Sequence, residues 1–475
     1  ISLSLISKTY LYLSDTKTKY MSATSPGNGE SISPVSPLRK KERILFLDCV
    51  RGIALLGILL MNSMAQSQSH LFYEHMNLNQ SITGLNFYAW VVERGFFEGT
   101  MRGLFSILFG AGTVLLLNRL QKQKPGLEPA DIFYRRMLWL LAFGLINAFL
   151  FLWPGDILYP YALLGLLLFP FRNWQPKNLM WAALLLLALG TYRENRMLLD
   201  NKEIITHGRM AESLESKKQK LTDEQKGHLQ KWQGFKEEYT SEGMMKMAMQ
   251  ETKNTQEKSK SYVGMVRHYR DINMMIQSVF FYNSWWDILM FFFIGMALFK
   301  SGYIEGKRSV GLYVAVTVIG IAVGVFLNYL LLKNQYGNKF DMVVFTEKWD
   351  FSYYQVRRLF QTMGYLSLLI LLYKVIPFRK ILNVFAPVGQ MAFTNYLMQS
   401  IIMSTIFLGM GWFGKLQRYE IYYVVVGVWI FQIIFSHIWL RYFLFGPFEW
   451  LWRSLTYLQK QPFLKGRRST PEPVL

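Results

Sequence analysis

Ten apolar stretches, separated by polar or basic breaks, constrain this chain more than any other feature. They cover residues 44–64, 97–117, 137–153, 157–171, 179–192, 286–299, 310–332, 359–376, 389–409 and 421–445. A helix rising 1.5 Å per residue needs about 20 apolar residues to cross a bilayer core. The first, second, seventh, ninth and tenth stretches reach that length, while the fourth and fifth fall short. Charged residues make up 17% and hydrophobic residues 52%, whereas a soluble domain usually carries about 25% charged residues. This excludes a disordered chain and argues against an ordinary soluble enzyme. The expected class is all-α, a polytopic membrane helical bundle of about ten transmembrane helices embedded in the lipid bilayer.

Charge distribution sharpens that expectation. Lys and Arg number 52 against 31 Asp and Glu, a net charge of +21. With the N-terminus inside, 22 of the basic residues fall on inner edges and eight in short outer loops, Arg94, Arg357, Arg358 and Arg418 among the eight. That bias predicts both termini on the cytoplasmic side of the membrane. It also removes the nucleic-acid reading, because the basic residues spread over six separate edges. Residues 1–42 read as a flexible cytoplasmic tail rich in Ser, Pro and Gly after Met21, where translation is expected to start. Residues 43–192 form an N-terminal membrane bundle (spans 1–5) and residues 276–460 a C-terminal bundle (spans 6–10). Residues 461–475 form a second cytoplasmic tail.

The segment between the bundles, 193–275, differs. From Arg193 to Asp271 it carries 16 Lys and Arg against 13 Asp and Glu and no Pro. Mixed charge and good helix formers predict a polar helical insert between spans 5 and 6, outside the cytoplasm. Leu229, Trp232, Phe235 and Tyr239 recur at near-helical spacing, so one face is expected on the membrane or on the bundle. The single cysteine, Cys49, supports neither a disulfide nor a thiolate metal site. His70 and His75 are too isolated to make a metal site, and no metal is expected.

Ionisable groups at membrane depth cost about 2.5–3.5 kcal/mol each on insertion scales, so each asks for a reason. Asp48, Arg51, Glu98, Arg102, Asp287, Arg441 and Glu449 lie in or at the edge of the spans. Asp48 and Arg51 share a helix face and either pair with each other or offer a guanidinium fork to a phosphate. Glu98 and Arg102, four apart, also share a face. Glu98 is either half of a pair or a carboxylate with general-base character. Gly99, Gly103, Ser106 and Gly110 follow as a small-residue stripe suited to close helix packing. Asp156, in Trp153-Pro154-Gly155-Asp156, suits an N-cap. Asn395 and Gln399 share a face and suit interhelical hydrogen bonding. His437 and Arg441 are four apart in the last span, and Asn62 lies eleven residues beyond Arg51. Phosphate-loop, HExxH and GxSxG signatures are missing.

Five ordered motifs resemble the YeiB-like family of bacterial membrane proteins (domain of unknown function 418). They are Leu47-Asp48-Cys49-Val50-Arg51-Gly52-Ile53-Ala54, Phe97-Glu98-Gly99 running into Phe105-Ser106-Ile107-Leu108-Phe109-Gly110, and Gly155-Asp156-Ile157-Leu158. Pro387-Val388-Gly389-Gln390-Met391-Ala392-Phe393-Thr394-Asn395-Tyr396 and Gly446-Pro447-Phe448-Glu449-Trp450-Leu451-Trp452-Arg453 complete the set. A more distant similarity links the Asp48-x-x-Arg51-Gly52 start to transmembrane acyltransferases of the acyltransferase 3 and heparan-α-glucosaminide N-acetyltransferase kinds. That resemblance implies transfer of an acyl group from a cytoplasmic donor such as acyl-CoA to an unknown acceptor at the outer face. Where the acyltransferase 3 pattern carries a histidine, this chain has Asn62, so Glu98 stands as the substitute base. On this reading Glu98, Asn62, Asp156 and His437 are the catalytic candidates. Asp48, Arg51, Arg102, Asn395, Gln399 and Arg441 are the binding candidates, with Arg51 and Arg441 holding donor phosphates and Asn395 and Gln399 an oxyanion. The alternative class is a transporter or export component for a small solute or lipid-linked substrate, since buried opposite charges near both faces also suit alternating access.

Overall fold

The computed structural model describes residues 44–74, 76, 82–123 and 126–465, with the side chains of residues 73 and 74 excepted. The expected N-terminal tail, the start at Met21, His75 and the last ten residues lie outside the described residues. Helices α1 (Leu45–Ser67), α2 (Gly84–Val92), α3 (Thr100–Gln123), α4 (Glu128–Phe149) and α5 (Leu158–Leu166) come first. The long α6 (Pro176–Ser216) leads into α7 (Asp223–Tyr239), α8 (Ser241–Lys258) and α9 (Tyr262–Met275). Next come α10 (Phe281–Lys300), α11 (Val310–Gly337), α12 (Met342–Lys348) and α13 (Tyr354–Lys374). The chain ends through α14 (Ile376–Leu382), α15 (Ala386–Gln390), α16 (Ala392–Ser404), α17 (Arg418–Tyr442) and α18 (Pro447–Tyr457). Single π-helical turns sit at Glu93–Phe97, Ile276–Phe280 and Thr405–Gly409. Among the described residues the sole β-type pairing is one bridge, Phe443 to Leu464.

The all-α expectation holds, but ten crossings do not. Six helical runs among the described residues are long and apolar enough to cross a membrane: Leu45–Ser67, Gly84–Gln123, Glu128–Phe149, Tyr262–Lys300, Val310–Gly337 and Arg418–Tyr442. A seventh is reached only by taking α13 with Ile376–Gln390 as one span, and that pair is bent by 116°. The expected fourth span shrinks to the nine residues of α5, stopped by a 3-10 turn over Phe169–Asn173 that contains Pro170. The fifth becomes part of α6, a 41-residue helix whose short apolar run is flanked by Lys177, Arg193 and Glu194. The ninth is split among α15, the 13-residue α16 and a π turn. An apolar run marks burial, and burial against protein looks the same in sequence as burial in lipid. The sidedness count was built on ten crossings and goes with them.

Packing separates the two kinds of burial. α10 lies between α3 and α6, and its window is two-thirds buried in protein. Only 22% of the α11 window and 28% of the α17 window are covered, leaving Val318, Ile319, Phe326, Ile430, Phe431 and Ile434 exposed. Apolar surface of that extent belongs against lipid. The close α3–α10 contact depends on glycine: a Cβ on Gly110 would sit 2.1 Å from the Phe292 carbonyl oxygen, and one on Gly295 2.0 Å from that of Ile107. With no side chain at either position the two backbones touch, which is how membrane helices gain van der Waals contact.

The polar segment forms the outward part of α6 together with α7, α8 and α9. Its starts are set locally. Thr222 and Gln225 make a capping box at α7, while Thr240 and Ser261 accept from the backbone at α8 and α9. The apolar stripe is settled too. Leu229, Trp232 and Phe235 bury against Ile205 and Ala211 of α6 and Val343 of α12, so the stripe faces protein.

Candidate functional site

Helix starts and π turns bring eight polar side chains together at one end of the bundle. Glu98 comes directly after the Glu93–Phe97 π turn, and Arg102 lies one turn into α3. Asp287 is in α10, soon after the Ile276–Phe280 π turn. Gln355, Arg357 and Arg358 open α13, and Glu194 projects from α6. Arg94 completes the set. A π turn shifts the helical phase of the residues beyond it by part of a turn, a common means of aiming functional side chains.

The ion pairs are specific. Arg358 Nη1 donates to Asp287 Oδ1 at 2.6 Å, and Arg102 Nη2 donates to Asp287 Oδ2 at 2.7 Å. Arg357 Nη2 donates to Glu98 Oε2 at 2.8 Å, and Arg94 Nη1 lies 3.5 Å from Glu98 Oε1. Asp287 and Glu98 thus each meet two guanidinium groups. Arg357 and Arg358 are fully buried, yet Nε and Nη1 of Arg357 and Nε and Nη2 of Arg358 have no hydrogen-bond partner among the described residues. Both guanidinium groups lie beside the Tyr354 ring, 5.2 and 5.0 Å from its centroid. Gly99 makes room for them. It sits at φ +73°, and a Cβ there would be 2.4 Å from Arg358 Nε. Arg102, with 41% of its side chain exposed, is the open edge of the centre. On the other side Gln355 Nε2 donates to Glu194 Oε1 at 2.7 Å, Ser352 Oγ donates to Oε2 at 3.3 Å, and Arg358 Nη1 lies 3.5 Å from Gln355 Oε1. Immediately before α13 an open cavity of about 530 Å³ is lined by Lys333, Asn334, Lys348, Trp349, Phe351 and Tyr353 among others.

Other sequence candidates sit elsewhere. Arg51 Nη1 donates to Asp48 at 2.8 Å, and Arg136 lies within electrostatic reach of Arg51 while stacking on Trp452 at 3.7 Å. Asn62 is half-buried and makes no side-chain hydrogen bond within the described residues. Asp156 accepts from Asn147 Nδ2 at 2.7 Å and from the Tyr159 amide at 2.8 Å, so it caps α5; burial pushes its pKa up to about 7. Asn395 donates to Val388 O and Ser436 Oγ, and Gln399 to Gln432 Oε1, so these amide donors tie helices together. His437 and Arg441 are exposed one turn apart on α17, with His437 Nδ1 2.8 Å from Ile433 O. Glu449 caps α16, accepting from the Phe393 and Thr394 amides at 2.7 and 3.0 Å. His70 pairs with Glu251 of α8, and no cluster of metal ligands occurs among the described residues.

The sequence groups Glu98 with Arg102 but leaves Arg357 and Arg358 among the outer-loop charges, and it marks Asp287 at the edge of a span without naming its partners. It passed over Glu194, Gln355 and Glu93. Glu93 is buried against Arg418 at 2.6 Å, with Tyr422 also donating to it. One signal was legible. Cations oppose the dipole at a helix N-terminus, so two adjacent arginines opening an apolar helix need a partner.

The description "Protein of unknown function (DUF418)" matches residues 298–459, a range that holds Arg357, Arg358 and both C-terminal motifs. The uncharacterized protein YxaH of Bacillus subtilis is 31% identical over 451 residues, covering 91% of this chain and 99% of that protein. The uncharacterized protein YeiB of Escherichia coli is 28% identical, covering 87% of this chain and 96% of its own length. An uncharacterized 39.9 kDa protein from the amylase 3' region of Bacillus acidopullulyticus is 25% identical over 90% of this chain. No solved structure matches the chain. With matched relatives along nearly the whole length, five motifs in order and a polytopic helical fold, the chain belongs to the DUF418, YeiB-like family of bacterial multi-pass membrane proteins.

Proposed function

We propose that this protein binds the anionic part of a small substrate at Arg357 and Arg358 and carries it as a transporter. The observation behind this reading is the pair of wholly buried, adjacent guanidinium groups, four of whose nitrogens have no hydrogen-bond partner among the described residues. Leaving a buried donor unmade costs about 1–3 kcal/mol, more when it is charged. A guanidinium fork is shaped for carboxylate, sulfate or phosphate oxygens. Arg102 gives the centre an open edge, and Gly99 lets backbone and guanidinium meet.

Acyl transfer is the second reading, carried by the resemblance of the first helix. It asks for a base, and Glu98 is engaged by Arg357 and Arg94. His437 is exposed on α17 and Asn62 lacks basicity. Discontinuous helices favour transport: α13 breaks into α14 and α15 through a 116° bend, and π turns precede Glu98 and Asp287. Proteoliposomes preloaded with labelled sulfate, phosphate, acetate or acetyl-CoA separate the two. Counterflow of an unchanged anion is the expected result. A chemically altered product made from acetyl-CoA, with no counterflow, would replace transport by transfer.

A further inference from the structure

Glu194 is joined to the arginine centre without being paired to a cation of its own. Its Oε1 accepts from Gln355 Nε2, whose Oε1 faces Arg358 Nη1, which in turn donates to Asp287. Its Oε2 accepts from Ser352 Oγ. The charged groups facing it are Arg358 from α13 and Asp287 from α10. On its own helix, Arg193 turns instead to Asn283 and the Trp286 ring, and Arg196 pairs with Asp200. Asp350, from the loop before α13, pairs with Lys202. Thus each nearby charge except Glu194 has an opposite charge or an aromatic face. Both hydrogen bonds to Glu194 come from the segment 352–358 that carries the arginines.

We propose that Glu194 takes up one proton when an anion enters the Arg357–Arg358 centre and releases it when the anion leaves. This rests on the anion-binding reading above. The step is a protonation: one proton leaves solvent, a carboxylate becomes a carboxylic acid, and no other bond changes. With Glu194 charged, the anion meets a further negative charge one amide away. With Glu194 neutral, that repulsion is gone, and the new carboxyl O–H donates to Ser352 Oγ. Burial already raises the affinity of this carboxyl for a proton. Linkage then works both ways: the anion promotes protonation, and protonation promotes anion binding by the same factor. Functionally this makes the protein a site for an anion together with a proton.

Sulfate is the probe, because it keeps both charges across the range from about pH 5 to about pH 8 while Glu and His titrate. Calorimetric titration of the purified full-length chain, in two cationic buffers of different ionisation enthalpy, reads affinity and proton uptake together. In wild type the affinity falls with rising pH, by at most about tenfold per unit where one proton is linked. The apparent heat differs between the buffers by up to the difference of their ionisation enthalpies, the value for one proton taken up. Glu194→Gln keeps the low-pH affinity at every pH and shows no buffer dependence. Sulfate binding with the same pH slope in Glu194→Gln as in wild type overturns the coupling. So does wild-type binding without proton uptake, which decides the matter even where the variant does not fold. A folded wild type that binds no sulfate at any pH overturns the anion centre itself.

Discussion

At the scale of single residues, Gly99 shows how closely the centre is built. Its φ of +73° is one that other residues adopt at a cost, and a methyl group there would press on Arg358. Gly99→Ala is expected to destabilise the protein by about 1–3 kcal/mol and to weaken anion binding, read by thermal unfolding in detergent and by calorimetry. Unchanged melting and binding would remove Gly99 from the account. Asp156 gives a separate, pH-dependent prediction. Its carboxyl rises from 3.8 to about 7 through burial, so the folded state holds a proton that the unfolded state has lost. Stability therefore falls as pH rises from about 4 to about 7, and levels off above. Asp156→Asn is expected to flatten that slope and to be the more stable form at pH 8. A slope identical to wild type would mean that Asp156 is charged in the folded protein.

These residues also show what a sequence displays and what it hides. Glu98 with Arg102, and Asp48 with Arg51, were legible because helix spacing alone fixes which side chains share a face. Asp48 and Arg51 do pair with each other. Glu98 and Arg102 do not: Glu98 takes Arg357, 259 positions away, and Arg102 takes Asp287, 185 positions away. Such partners are set by how helices stack, and no local pattern records it. Asp156 was legible as a cap because the Trp-Pro-Gly-Asp turn is a local device.

At the scale of elements, two features hold the site in place. The α3–α10 contact through Gly110 and Gly295 fixes Arg102 against Asp287. Gly295→Ala is expected to cost about 1–3 kcal/mol by forcing the two helices apart, read from thermal unfolding. No loss would mean that the helices meet less closely than described. The second feature is the buried Glu93–Arg418 pair, which joins the π turn before Glu98 to the start of α17. Arg418→Leu leaves Glu93 buried without its ion partner and is expected to cost about 3–5 kcal/mol. Removing both charges with Glu93→Gln and Arg418→Leu together should recover most of that loss. A double variant as unstable as the single one would show that Arg418 acts through packing alone. The apolar runs themselves were legible, and most became helices. Their number as crossings was not, because α5, the apolar part of α6 and α16 have the hydropathy of spans without the length or continuity.

At the scale of the whole molecule, six or seven crossing helices carry lipid-facing surface on α11 and α17 and enclose an ionic centre where α3, α10 and α13 begin. The bacterial relatives YxaH and YeiB match this chain over nearly their full length. The central claim is that Arg357 and Arg358 take an anion from outside the chain. Calorimetric titration of sulfate into wild type and into the charge-balanced Asp287→Asn, Arg358→Gln variant tests it most directly. Saturable binding to wild type and at least about tenfold weaker binding to the variant, near 1.4 kcal/mol, are expected with both proteins folded. Equal affinity in two folded proteins would contradict it.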